Sequence, residues 1–270
     1  MSERLLVTRV QPQAQAWVDL FSAQGHDALA LPLIEVRSLA DKTEVHAVWQ
    51  RLQSYAAAMF VSRHAVDYFF RENAAIDHVL YWDKAIRIRA WSTGPGTAQA
   101  LAENGIPAHL IDSPSEQAGQ FDSEALWQLV QTQVHAGDKV LIVRGDSAAA
   151  DGVSLVGDTG VGRDWLAQRL TDAGVKVDFV VAYQRGAPAW GAQQRALATA
   201  GAADGSVWLF SSAEALVHLQ ALLPGQDWSA ARAVATPPRI AAAARAVGFG
   251  VVAQARPVFA DVLASIESLS

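Results

Sequence analysis

The sequence predicts an α/β fold built on parallel sheets. Three observations carry this reading. Short β-branched runs alternate with alanine- and leucine-rich stretches along almost all of the 270 residues. Strands alternating with helices imply right-handed crossovers between parallel strands. Several helical stretches also run into a glycine just before the next strand, at Gly25, Gly105, Gly174 and Gly248, where a helix C-terminal cap belongs. A domain commonly has ~100–200 residues, so the chain is long enough for two.

In order along the chain, strands are expected at 4–8, 27–31, 57–61, 86–90, 108–111, 138–143, 175–182, 206–210, 232–235 and 250–254. Helical patterns lie between them at 12–24, 64–72, 96–104, 124–134, 163–173, 189–200, 213–222 and 239–247. Ten strands are too many for one small sheet and suit two five-stranded sheets. Leu6-Val7-Thr8-Arg9 has the character of Ile142-Val143-Arg144, with Arg9 and Arg144 offset by 135. Beyond that pair the second copy carries fourteen extra residues, 147–160, and Gly25 and Gly174 are offset by 149. Ser62 and Ser211 share that offset, and Thr93-Gly94-Pro95 matches Thr236-Pro237-Pro238 at 143. Three motifs recurring in one order indicate a duplication. Two arrangements remain open: tandem domains divided near residue 118, or an interleaved pair in which the first two strands join the last three.

Composition excludes several function classes. Hydrophobic residues make up 51% and charged residues 18%, with no long polar tract, so a disordered chain is ruled out. Cysteine is absent, which removes disulfide frameworks, thiolate metal sites and cysteine nucleophiles. Twenty-one basic residues stand against 27 acidic ones, so no global positive field for nucleic acid exists. Met1-Ser2-Glu3-Arg4 leads straight into Leu5-Leu6-Val7 without a secretory leader. The longest apolar stretches, near Val140–Val143 and Phe179–Tyr183, are far short of the ~20 residues of a membrane span. A cytoplasmic protein without membrane or nucleic-acid partners is the expectation.

The residues with chemical potential sit where strands end and helices begin, which is where open α/β sheets bind ligands. They are Thr8-Arg9, Ser62-Arg63, Thr93 to Thr97, Arg144-Gly145, Tyr183 to Arg185, Ser211-Ser212 and Thr236 to Arg239. Hydroxyls, guanidiniums and helix N-terminal N–H groups all bind anions. Singly, Ser62, Thr97, Ser211 and Thr236 read as helix caps. Recurring with arginines in both halves, they read as a polyanion site. Arg144-Gly145-Asp146 reads as an arginine and a tight turn at a strand end. Gly94-Pro95-Gly96-Thr97-Ala98-Gln99 has Gln99 where a dinucleotide fingerprint needs its third glycine. Gly157 to Gly162 has the outer glycines of a phosphate loop, but Arg163-Asp164 replaces Lys-Ser/Thr, so 147–162 reads as a surface loop able to cover a cleft. Seven histidines show no metal spacing and read as surface or cap residues. Tyr183 closes a strand and is the one candidate acid, because a phenol donates without ionising near neutral pH.

The ordered series resembles the uroporphyrinogen-III synthase family. It runs Leu6-Val7-Thr8-Arg9, Pro32-Leu33-Ile34-Glu35, Phe60-Val61-Ser62-Arg63-His64-Ala65-Val66 and Gly94-Pro95-Gly96-Thr97-Ala98. It continues with Leu141-Ile142-Val143-Arg144-Gly145, Val181-Ala182-Tyr183-Gln184-Arg185, Phe210-Ser211-Ser212 and Thr236-Pro237-Pro238-Arg239-Ile240. The resemblance implies two flavodoxin-like domains with parallel five-stranded sheets, interleaved in the chain and facing each other across a cleft. Residues 1–34 with 187–270 would form one domain and 38–181 the other, with 35–37 and 182–186 as extended connectors. It implies a monomeric lyase of tetrapyrrole and heme biosynthesis that needs no cofactor or metal. Its substrate would be hydroxymethylbilane, a linear tetrapyrrole octacarboxylate, cyclised and dehydrated to uroporphyrinogen III with inversion of ring D. Tyr183 would be the acid, and Arg9, Ser62, Thr97, Arg144, Ser211, Thr236 and Arg239 the substrate contacts. The sequence departs from the resemblance where Pro237 replaces a common histidine and where 147–162 is longer than usual. The competing reading is a two-domain protein that binds a small polyanion without catalysis. A pair of receiver-like domains would need clustered acidic strand ends, and these ends carry Arg and Ser instead.

Overall fold

The structure is a computed structural model that describes residues 3–74, 88–114, 123–147, 161–236 and 238–269. In chain order the first elements are β1 (Arg4–Val7), α1 (Gln13–Ala23), β2 (Asp27–Ala30), β3 (Glu35–Ser38), α2 (Thr43–Arg51), β4 (Ala57–Phe60), α3 (Arg63–Ala74), β5 (Arg89–Ser92) and α4 (Pro95–Glu103). Then follow β6 (Ile111–Asp112), α5 (Ser123–Val130), β7 (Lys139–Ser147), α6 (Val161–Asp172) and β8 (Lys176–Gly186). The last are α7 (Ala192–Gly201), β9 (Val207–Phe210), α8 (Ala213–Leu222), β10 (Arg232–Ala235), α9 (Pro238–Val247), β11 (Val251–Gln254) and α10 (Phe259–Glu267).

These elements form two compact units, residues 1–35 with 186–270, and residues 36–185. The first unit holds a sheet ordered β11-β10-β9-β1-β2, with every neighbouring pair parallel. Leu5, Leu6 and Val7 in β1 and Val207 to Phe210 in β9 are buried without a break. Such runs belong to parallel strands that are covered on both faces. One face packs Ala14, Val18 and Phe21 of α1 with Val262 and Ile266 of α10. The spacing of Ala14, Val18 and Phe21 is that of one helical stripe. The other face packs Ala198 of α7, Ala215, Leu216 and Leu219 of α8, and Ile240, Ala241 and Ala244 of α9.

The second unit holds a six-stranded sheet ordered β3-β8-β7-β4-β5-β6. Helices α2, α3 and α4 cover one face through Val48, Trp49, Ala65, Phe69 and Leu101. Helices α5 and α6 cover the other through Leu126, Val130, Leu166 and Leu170. Apart from β3, its five strands β8-β7-β4-β5-β6 have the order of β2-β1-β9-β10-β11 once the repeated motifs are matched, β7 to β1 and β4 to β9. Gly25 and Gly174, the matched helix ends, both have positive φ, at 86° and 79°. Only glycine takes that conformation at low cost.

The sixth strand corrects the expected five. Glu35–Ser38 is short, polar and half exposed, so it has neither an apolar run nor a buried alternation to announce it. The segments expected as connectors lie in paired strand: 35–37 belong to β3 and 182–186 to β8, and these two strands are neighbours. The stretch expected as a strand at 108–111 is a tight 3-10 turn, Ala108–Leu110, running into the two-residue β6. Helices α2 and α10 were not expected, although Val45, Val48 and Trp49 show the helical spacing in α2. The Arg144-Gly145-Asp146 turn is instead continuous strand, with a register shift between Arg144 and Gly145. His218 is a core residue rather than a surface one, and its Nδ1 donates to the Leu33 carbonyl at 2.7 Å. Of the loop 147–162, residues 148–160 lie outside the described residues, and 161–162 begin α6.

Large aromatic side chains fill the first unit's core. Trp208 lies parallel to Phe210, meets Trp228 edge-on at 5.3 Å between ring centres, and donates its Nε1–H to the Gly201 carbonyl at 2.9 Å. Trp208→Ala is expected to lower unfolding stability by about 3–5 kcal/mol through lost burial and a residual cavity. Urea denaturation checks this, and a loss below about 1 kcal/mol would contradict the packing described.

Candidate functional site

In an open α/β sheet, strand ends are most accessible where the connecting helices change face. In the first unit that reversal falls between β1 and β9, since α1 follows β1 on one face and α8 follows β9 on the other. Thr8 is buried there and its Oγ1–H donates to the Leu209 carbonyl at 2.6 Å, tying the two strand ends together. Arg9 follows. Its guanidinium lies 4.2 Å from the centre of the Trp17 ring, a cation–π contact. Arg9, Trp17, Phe210, Ser211 and Thr236 line one small cavity. Thr236 is buried, and its N–H donates to the Phe210 carbonyl at 3.0 Å.

Burial pushes the Arg9 pKa below its ordinary value, because a partly dry site disfavours charge. Among the described residues Arg9 has no carboxylate partner. A cation held this way, beside two hydroxyl side chains, favours an incoming anion. Arg239 stands exposed in the first turn of α9. The structure therefore gathers Arg9, Ser211 and Thr236, with Arg239 further out on the helix that follows Thr236.

In the second unit the reversal falls between β7 and β4. Ser62 follows β4, and its Oγ accepts the Ala65 N–H at 3.2 Å, capping α3. The same Oγ lies 3.1 Å from the Tyr183 hydroxyl, and either atom can donate. The Tyr183 side chain is only 3% exposed, so its phenol sits in a largely dry setting. The rings of Tyr68 and His64 approach the Tyr183 ring at 5.8 and 5.9 Å between centres. Tyr68 in turn donates its hydroxyl to the Val36 carbonyl at 2.9 Å. Thr97 is buried in the first turn of α4, behind β5, with its N–H donating to the Gly94 carbonyl at 3.2 Å.

Arg144 does not join this group. Its guanidinium lies 5.0 Å from the centre of the Phe179 ring. That places it on the face of β7 shared with Val140 and Ile142, whereas Tyr183 packs on the face of Leu141 and Val143. The Arg144 Nε is buried and has no hydrogen-bond acceptor among the described residues. Three residues around these sites escaped the sequence reading. Trp17 lies in the helical pattern at 12–24 without further signal, Tyr68 has no motif, and Gly145 reads as part of a turn. The one available signal was spacing: Tyr68 stands one helical turn beyond His64. Among the described residues no group of three His, Asp or Glu side chains could hold a metal ion. No helix among them is long and apolar enough to cross a membrane.

The comparisons agree with one another. The family described as uroporphyrinogen-III synthase HemD matches residues 15–264. A uroporphyrinogen-III synthase of Salmonella typhimurium is 29% identical over 192 residues, which cover 67% of this chain and 64% of that protein. The chain thus aligns with just under two thirds of that relative's length. The uroporphyrinogen-III synthetase of Helicobacter pylori has a similar solved structure, with a TM-score of 0.57 at 15% identity and full coverage of both chains. A mutant uroporphyrinogen III synthase of Thermus thermophilus gives 0.56 at 14% identity, covering 99% of this chain and 98% of that one. At such identities these two likenesses speak for the fold alone.

Arg9→Met keeps an aliphatic stem on Trp17 and removes the charge. Because the charge has no carboxylate partner, unfolding stability is expected to stay within about 1 kcal/mol of wild type or to rise. Urea denaturation without ligand measures this. A loss above about 2 kcal/mol would show that the guanidinium serves the fold rather than a ligand.

Proposed function

The chain belongs to the uroporphyrinogen-III synthase family, and on that premise we propose that it dehydrates and cyclises hydroxymethylbilane to uroporphyrinogen III with inversion of ring D. The observation that carries the proposal is the buried Tyr183 phenol, hydrogen-bonded to Ser62 at the point where the helices of its sheet change face. In this reading the two compact units serve as the protein's two domains, and the protein acts as a cytoplasmic monomer without a cofactor.

The chemistry needs one proton donor and much positioning. Tyr183 donates to the terminal hydroxyl of the linear substrate, the C–O bond breaks and water departs. Electrons from the adjacent pyrrole nitrogen fill the gap and leave an electrophilic azafulvene. The substituted α-carbon of the last ring attacks it and forms a spiro intermediate. The bond from that carbon to its original methylene then breaks, generating a second azafulvene. The free α-carbon of the inverted ring closes onto that methylene, and the proton it loses replaces the one that the Tyr183 phenol gave up. One water is lost overall, and no oxidant or reductant is required.

Ser62 fixes the phenol through the 3.1 Å contact, and the helix cap fixes Ser62. Since the linear substrate also closes without inversion, the product depends on which carbon is held nearest the electrophile. The eight substrate carboxylates supply the handles for that hold. Arg9, with Ser211 and Thr236 beside it, offers one receptor for them, and the first turns carrying Thr97 and Arg239 offer others. Arg144, on the far face of β7, would meet a carboxylate away from the phenol. The net charge of −6 does not prevent this, since charges beyond ~8 Å are screened.

The test is to supply hydroxymethylbilane and separate the isomers of the cyclised product. Type III product formed faster than spontaneous closure is the expected result. Tight binding without turnover would instead favour a non-catalytic polyanion receptor. Type I product alone, at the uncatalysed rate, would sink the proposal.

A further inference from the structure

Gly145 has no backbone reason to be glycine. Its φ lies outside the left-handed region that excludes side chains, unlike that of Gly174 or Gly137. Its surroundings are another matter. A Cβ placed on Gly145 would overlap Cε2 and Cζ of the Tyr183 ring and come within 2.9 Å of its hydroxyl oxygen. The hydroxyl end of the ring lies against bare backbone where any other residue would carry an atom.

The pairing of β7 with β8 brings this about. Arg144 pairs with Val181, but Gly145 pairs with Tyr183, so Ala182 is an extra residue on β8. Such a bulge re-aims the side chain that follows it. Here it sets the Tyr183 ring over Gly145 and its hydroxyl 3.1 Å from the Ser62 Oγ. The chain's other copy shows the alternative. The offset of 135 that matches Arg9 to Arg144 matches Val10 to Gly145, and the offset of 149 matches Ile34 to Tyr183. The ladder between β1 and β2 ends at the pair Val7 and Ala30, without a bulge. Where no phenol has to be seated, the position carries a valine.

We propose that Gly145 is a positioning residue for the dehydration step: its missing side chain is the floor on which Tyr183 presents its hydroxyl. This rests on the reading of Tyr183 as the proton donor. Any side chain at 145 tilts or lifts the ring and breaks the alignment with Ser62 and the leaving hydroxyl, and a misplacement of ~1 Å can cost ~100-fold in rate. Binding of the carboxylates, which uses other residues, is left in place.

The test compares Gly145→Ala, Tyr183→Phe and the double variant, with hydroxymethylbilane as substrate. Gly145→Ala is expected to lower kcat by at least tenfold, approaching the loss in Tyr183→Phe, with KM within about threefold of wild type. Adding Gly145→Ala to Tyr183→Phe should lower kcat no further, because the hydroxyl it misplaces is already gone. Multiplying losses, or a kcat in Gly145→Ala equal to wild type, would overturn the inference. A thermal-unfolding series covers the case in which Gly145→Ala folds poorly. Adding Tyr183→Ala, which removes the ring, should return the melting temperature to that of Tyr183→Ala alone. If Gly145→Ala lowers it equally with and without the ring, the glycine serves the strand and not the tyrosine. Wild type lacking type III activity would instead refute the functional reading itself, so the two failures are distinguishable.

Discussion

The reversal of helix side within each sheet governs the rest of the structure. A parallel strand delivers its chain to a covering helix at its carboxyl end. Where neighbouring strands send their helices to opposite faces, neither helix closes over the strand ends between them. Here this happens between β1 and β9 and again between β7 and β4. The same two junctions hold Thr8 and Arg9 in one unit and Ser62 and Tyr183 in the other. Burial on both faces keeps the strands below these junctions rigid, so the side chains at their ends are held by a packed core.

The duplicated architecture makes the difference between the copies informative. Both present hydroxyl side chains after matched strands, Ser62 and Ser211. Only one presents a buried phenol, and only in that copy does the ladder continue past the arginine, with a bulge and a glycine. The other copy places its arginine on Trp17, beside Ser211 and Thr236. One copy thus presents a buried phenol and the other a cation beside two hydroxyl side chains.

Much of this was legible in the sequence because strand and helix periods are local properties. The alternation, the glycine ends and the repeat offsets located nine of the ten expected strands, and eight helices, with 108–111 proving to be mostly a 3-10 turn. Strand β3 escaped because Glu35-Val36-Arg37-Ser38 is half exposed and owes its strand character to its neighbour β8. Ser62 and Tyr183 were legible as strand-end residues, but their 3.1 Å contact joins residues 121 apart and depends on the order β8-β7-β4. The side taken by Arg144 was not legible, since the faces of β7 acquire identities only when the helices have packed. The role of Gly145 was hidden for a similar reason. A glycine that leaves room for a distant ring looks, in one dimension, like a glycine in a turn.

The account turns on whether the phenol acts in the departure of the hydroxyl while other groups choose the carbon that attacks. Single-turnover conversion of hydroxymethylbilane by Tyr183→Phe, with the isomers resolved, separates these roles. The predicted result is a chemical step slowed by roughly 100- to 10,000-fold, the usual worth of a general acid, while product released from the enzyme remains type III. A Tyr183→Phe enzyme that turns over at the wild-type rate would contradict the account.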